Sequence, residues 1–182
     1  MTKEELRKIY LSKRQALSDS EYSSINNSLT SEIWKRIQEI KPHIVHLFLP
    51  IKKNKEFDTF PLIKLLLESN IKVVIPVSDF KTKEMRSSIF DSNTILDEKK
   101  YGILEPTSPI FIDESTIDLI LVPLLVADKF GNRVGYGGGF YDRYLNSNSN
   151  IYKLGISFFN PIDTLIPTNE FDVPLDEIIS PS

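Results

Sequence analysis

Five of the chain's seven glycines, Gly131, Gly135, Gly137, Gly138 and Gly139, fall within nine residues. Glycine loses more backbone freedom on folding than any other residue, so such a concentration needs a cause. One cause is a tight loop with positive φ at several positions. The other is a loop whose bare backbone N–H groups approach an anionic ligand closely. The flanks favour the second. Asp118-Leu119-Ile120-Leu121-Val122 reads as a buried strand ahead of the cluster, and a helix begins near Phe140 behind it. A helix N-terminus brings partial positive charge to the same spot, and Arg133 adds a formal one. The segment 131–142 is therefore expected to bind phosphate. It matches neither the Walker A pattern, which ends in Gly-Lys-Ser/Thr, nor the dinucleotide fingerprint with its later acidic residue, so the kind of phosphate stays open. Asp142 stays open too. A carboxylate in a first helical turn can simply favour the helix dipole, and beside phosphates it can hold Mg²⁺.

The rest of the pattern sets the fold class. Thr2 with Glu5, and Ser18 with Glu21, are S/T-x-x-E capping boxes opening two helices, the second ending before Pro42. Residues 43–49 form a short apolar run bounded by proline, which predicts a buried strand. Asp58 or Thr59 can cap a helix with Pro61 in its first turn, running to Asn70. Residues 72–75, 85–90, 118–122 and 153–157 read as further strands, and 141–145 as helix. The tail from Pro161 to Ser182 reads as irregular and surface-packed. Strand–helix–strand alternation predicts one α/β domain over 1–182, with a parallel-rich sheet flanked by helices in three layers.

Composition narrows the chemistry. Apolar residues are 41% and charged residues 26%, an ordinary globular balance. A net charge of −3 gives no reason to expect nucleic acid as partner. The absence of cysteine removes disulfides, thiolate catalysis and Cys-based zinc sites, and suits a reducing compartment. With no apolar leader or membrane-length run, the expectation is a cytoplasmic protein with no membrane partner. At the N-terminus Lys3, Arg7 and Arg14 fall within an arc of roughly 40° on a helical wheel, beside the apolar face. Such a stripe is either a solvated flank or a row of cations leaning into an anion-binding cleft.

At this point the chain resembles the 5-formyltetrahydrofolate cyclo-ligase (methenyltetrahydrofolate synthetase) family. The resemblance rests on Lys3-x-x-Leu6-Arg7 with Arg14, on Phe48-Leu49-Pro50 followed by Glu56-Phe57-Asp58-Thr59, on Asp118 to Pro123 leading into Asp128 to Arg143, and on Asp172-Val173-Pro174-Leu175-Asp176. The central signature is long and specific. The resemblance implies a NagB/RpiA-like fold and ATP- and Mg²⁺-dependent closure of 5-formyltetrahydrofolate to 5,10-methenyltetrahydrofolate, with phosphorylation of the formyl oxygen and release of ADP and phosphate. It implies small-molecule partners, a reduced folate and ATP. It places ATP on Lys3, Glu4, Glu5, Leu6 and Arg7 and on Arg133, Val134, Gly135, Tyr136, Gly137, Gly138, Gly139, Phe140 and Tyr141, with Lys3 and Arg133 in the catalytic role. It places folate on Glu56 and on Tyr136 to Phe140, and Mg²⁺ on Asp142 and Asp176. A carboxylate suits the pterin's amino and ring N–H donors. Without the resemblance, Glu56 reads as a surface carboxylate among Lys52, Lys53 and Lys55. Phe140 stands where the family commonly has tyrosine, and Phe171 where many members have histidine. From the residues alone, a sugar-phosphate or coenzyme A enzyme of the same fold and a non-catalytic nucleotide- or folate-binding protein also remain open.

Overall fold

The computed structural model describes residues 1–181. Both capping boxes form. Helix α1 (Lys3–Gln15) opens with Thr2 Oγ1 accepting the Glu5 N–H at 3.2 Å and Glu5 accepting the Thr2 N–H at 2.8 Å. Helix α2 (Asp19–Ile40) opens the same way on Ser18 and Glu21, and ends where Lys41 turns left-handed before Pro42. Strand β1 (Ile44–His46) and helix α3 (Phe60–Glu68) follow, with Pro61 in the first turn of the helix. The anticipated cap of α3 is divided between two residues. Asp58 Oδ1 accepts the Phe60 N–H at 3.1 Å, while the Thr59 hydroxyl donates to the Phe48 carbonyl at 2.7 Å and ties the helix to the chain leaving β1.

The remaining elements are β2 (Lys72–Asp79), β3 (Glu84–Phe90), β4 (Leu96–Glu98), β5 (Leu104–Pro106), β6 (Leu119–Pro123), β7 (Val126–Ala127), β8 (Arg133–Val134), α4 (Phe140–Ser147), β9 (Tyr152–Ile156) and β10 (Glu177–Ile179). Six strands form one sheet in the order β10-β9-β6-β1-β2-β3. All neighbours are parallel except β2 and β3, which make an antiparallel hairpin. The expected parallel-rich sheet flanked by helices is therefore present. On one face Val45, Val73, Leu119, Leu121 and Leu154 share a core with two helical stripes, Leu29, Ile33 and Ile37 of α2 and Leu62, Ile63 and Leu66 of α3. On the opposite face Val74, Ile120 and Val122 meet Tyr144 and Leu145 of α4. Burial on both faces explains why β6 reads as an unbroken apolar run rather than an alternating one. Among the described residues, no helix is long and apolar enough to cross a membrane.

The structure differs from the sequence expectation in three places. The run 43–49 leaves the ladder after His46, although Leu47, Phe48 and Leu49 stay buried. Strand β2 runs four residues past the expected end, because β3 pairs with it as far as Asp79. Its Pro76 lies beyond the last residue paired with β1, Val74, so the missing N–H breaks no bond on that side. The tail is not wholly irregular: Glu177–Ile179 form β10, a parallel edge strand on β9.

The carboxyl ends of β6 and β1 carry the two segments of interest, the glycine loop and the chain leading to Glu56. In open α/β sheets this is the side on which ligands bind.

Candidate active site

The glycine loop stands on a buried carboxylate. Asp128 Oδ1 accepts the N–H groups of Phe130 (2.9 Å) and Asn132 (3.0 Å), and Oδ2 accepts Asn132 Nδ2 and the Ile166 N–H, both at 2.9 Å. Burial pushes this carboxyl up, but the donors, led by Ile166 N–H and Asn132, outweigh it and hold it below the usual range. The glycines do not share one job. Gly131, at φ +87°, is structural: a Cβ there would lie 2.6 Å from the Leu175 carbonyl oxygen. Gly139, at φ +70°, is the N-cap of α4, and its Cβ would sit 2.7 Å from Arg143 Nη1. Among the described residues, the N–H groups of Gly135, Gly137, Gly138 and Gly139 donate to no protein acceptor. Backbone donors without partners are what an anion cradle supplies.

Cations converge on this loop. Arg7 Nε donates to the Gly135 carbonyl at 2.9 Å, and a Cβ on Gly137 would lie 3.1 Å from the same guanidinium. Arg133 Nη2 lies 2.7 Å from Asp142 Oδ1, and its Nη1 donates to the Val173 carbonyl. Lys3 Nζ is 2.6 Å from Asp172 Oδ1. Burial pushes the Asp172 carboxyl up, and the bonds from Lys3 and the Asn169 N–H more than offset that, holding it low. A groove of about 570 Å³ opens beside the start of α1, lined by residues that include Thr2, Lys3, Thr168 and Asn169. Within the expected run 3–7, Lys3 and Arg7 bring charge to this region. Glu4 is exposed, Glu5 is occupied by the capping box, and Leu6 is buried against Val126, Val134 and Ile166.

Glu56 is not the solvated carboxylate that its lysine neighbours suggest. After the 3-10 turn Lys52–Asn54, Lys55 takes a left-handed conformation (φ 46°) and Glu56 turns inward, 3% exposed. Its Oε2 accepts the Ile51 N–H at 2.6 Å. Burial pushes its carboxyl up, opposed by the Ile51 N–H, the Tyr136 hydroxyl and Arg14. Arg14 is 2% exposed and donates to the carbonyls of Asn54 (2.8 Å) and Leu124 (3.3 Å) and to the Tyr136 hydroxyl. Tyr136 therefore belongs to both halves of the site. In the sequence Arg14 stands out only as part of the basic stripe, and its place on the same arc as Lys3 and Arg7 is the signal for it.

Two further residues, Phe80 and Tyr101, have no counterpart among the expected site residues. The Phe140 ring meets Phe80 edge-to-face at 5.2 Å, and Phe80 lies 5.7 Å from Tyr101, which gives the loop an aromatic border. The two candidate metal ligands differ. Asp142 sits in the first turn of α4 with Oδ1 bonded to Arg133 and to the Val173 N–H at 3.2 Å. Asp176 lies against β9, where Oδ2 accepts Lys153 N at 2.7 Å and Lys153 Nζ at 2.8 Å. Among the described residues, no group of three or more His, Cys, Asp or Glu could hold a metal. Mg²⁺ does not need one, since one or two carboxylates with phosphate oxygens suffice.

Residues 1–181 match the 5-formyltetrahydrofolate cyclo-ligase family. A 5-formyltetrahydrofolate cyclo-ligase of Mycoplasma pneumoniae is 32% identical over 184 residues, covering 99% of this chain and 99% of that protein. The Escherichia coli K12 enzyme of the same name is 28% identical over 176 residues, covering 93% and 95%. Among solved structures, the 5,10-methenyltetrahydrofolate synthetase of Aquifex aeolicus superposes with a TM-score of 0.80 at 28% identity, covering 99% of this chain and 90% of that one. With the glycine loop, the basic stripe and the buried glutamate all in place, the chain belongs to the 5-formyltetrahydrofolate cyclo-ligase family.

Proposed function

We propose that this enzyme converts 5-formyltetrahydrofolate and ATP to 5,10-methenyltetrahydrofolate, ADP and phosphate, with Mg²⁺ bound at the phosphates. The observation that carries the reading is the junction at Tyr136. One residue of the glycine loop accepts from Arg14, which lines one small cavity with the buried Glu56 and three phenylalanines, so a phosphate site and an aromatic-walled acceptor site adjoin.

In this reading the glycine N–H groups, with Arg7, Arg133 and Lys3, bind and neutralise the triphosphate. Glu56 accepts the pterin's 2-amino and N3 hydrogens. The formyl oxygen attacks the γ-phosphorus and the bond to ADP breaks. N10 then attacks the activated formyl carbon and loses its proton, and the carbon–oxygen bond breaks to release phosphate. Such a reaction asks the protein mainly for positioning and charge neutralisation, which these residues provide. Asp142 fits Mg²⁺, having one oxygen committed to Arg133 and Val173 and the other without a protein donor among the described residues. Asp176 would have to exchange its Lys153 partners. The ion supplies further neutralisation of phosphate charge.

The test is to incubate the protein with 5-formyltetrahydrofolate, Mg²⁺ and ATP and to follow the methenyl product by its near-ultraviolet absorbance. Product that depends on ATP is expected. No product sinks the reading, and product without ATP removes the phosphoryl step.

A further inference from the structure

Arg14 is a buried cation with no carboxylate within ion-pairing distance among the described residues. Burying an unpaired guanidinium is costly, and its partners here are neutral oxygens: the Asn54 and Leu124 carbonyls and the Tyr136 hydroxyl. Glu56 is the carboxylate on the other side of that hydroxyl. Guanidinium N–H groups only donate, so the hydroxyl accepts from Arg14 and its own proton is left for Glu56. Phe48, Phe57 and Phe158 stand around Arg14 and Glu56, leaving a cavity of about 10 Å³, far too small for any ring.

We propose that Arg14 is a further substrate-binding residue, which with Glu56 reads the amide-like edge of the pterin, and that the Tyr136 hydroxyl holds that edge's place until substrate arrives. The inference rests on the folate reading given above. A 4-oxopterin presents an acceptor, O4, beside a donor, N3–H, with the 2-amino donor next to it. Arg14 and Glu56 present a donor beside an acceptor. The Tyr136 hydroxyl meets the arginine in the same sense, accepting from it, with its own proton left for the carboxylate. Tyr136 is 38% exposed and stands between Gly135, around whose Cβ position there is open space, and Gly137 at φ +90°. It is therefore placed to turn outward and yield its position.

A 4-amino analogue reverses this order, with a donor facing Arg14 and an unprotonated N3 facing Glu56. Binding of folic acid and of its 4-amino analogue is measured at about pH 8, where the analogue is neutral, for the wild type, Arg14→Met and Arg14→Lys. The wild type is expected to prefer folic acid by at least about 10-fold, since a site built around fixed donors and acceptors rejects a mismatched edge. Arg14→Met is expected to lower the preference at least about threefold, as it removes one of the two discriminating groups and leaves Glu56 facing N3. Arg14→Lys keeps the charge but loses the planar fork, and serves if the methionine variant does not fold; its preference should fall at least about threefold. An unchanged preference in a folded variant, or no preference in the wild type, overturns the inference alone when the wild type still converts 5-formyltetrahydrofolate. A wild type that neither binds folic acid nor makes product overturns the functional reading with it.

Discussion

Arg133 Nη2 and Asp142 Oδ1 stand 2.7 Å apart, joining the two ends of the glycine loop. Asp142 Oδ1 also takes the Val173 N–H, and Arg133 the Val173 carbonyl, so the C-terminal segment is clamped to the same pair. On the proposed function, a phosphate arriving at the loop competes with Asp142 for Arg133.

Replacing Arg133 with alanine should therefore lower kcat/KM for ATP about 100-fold or more, the scale seen when a donor to developing charge is removed. Asp142 keeps the Val173 N–H, so the circular dichroism of the variant should match the wild type. An unchanged kcat/KM would remove Arg133 from the site.

Asp142→Asn separates two roles that the sequence leaves open, dipole partner and metal ligand. A metal ligand predicts that the Mg²⁺ concentration for half-maximal rate rises at least about 10-fold. An unchanged Mg²⁺ requirement with a small loss of stability would leave only the dipole role.

Lys3→Ala tests the N-terminal helix as part of the nucleotide site. Its ammonium faces the groove at the start of α1, and Glu56 lies with Arg14 at the other end of the helix. The KM for ATP should rise about 10-fold, the loss of one charge-assisted contact, with the folate KM unmoved. Equal rises in both would point to a displaced helix instead.

The residues behind these predictions differ in how far the sequence alone exposes them. Capping boxes at Thr2 and Ser18 are local, so three residues of spacing suffice to place both helix starts. The glycine cluster and the apolar run before it mark the loop and β6. Glu56 is different: it turns inward after the left-handed Lys55, and the Asn54 carbonyl just before it is held by Arg14 from another element. Local composition, three lysines nearby, points the wrong way, and only the family resemblance marks the residue. The aromatic border of Phe80, Tyr101 and Phe140 joins three separate segments, and β10 is a three-residue strand defined by pairing alone. Neither has a periodic signal along the chain.

His46 bears on stability rather than chemistry. It is fully buried, stacked on Tyr144 at 5.3 Å, and neither ring nitrogen has a hydrogen-bond partner among the described residues. Burial pushes its pKa down from 6.5 to about 3. The native state therefore holds it neutral while the unfolded chain takes up a proton below about pH 6.5. Stability from this residue is complete above that pH and is lost progressively as pH falls toward 3. Between pH 7 and pH 5 the loss should be about 2 kcal/mol. His46→Leu should abolish that difference and, by removing unpaired buried nitrogens, stabilise the protein at neutral pH by about 1 kcal/mol. Denaturant midpoints of the two proteins at both pH values check this, and parallel pH profiles would contradict it.

Delivery of a phosphoryl group from the glycine loop to the formyl oxygen is tested most directly by an isotope. 5-Formyltetrahydrofolate labelled with ¹⁸O in the formyl group is converted, and the released phosphate is analysed by mass spectrometry. Transfer of the label into inorganic phosphate, in step with methenyl product, is predicted. Unlabelled phosphate, with the label released to water, would contradict it.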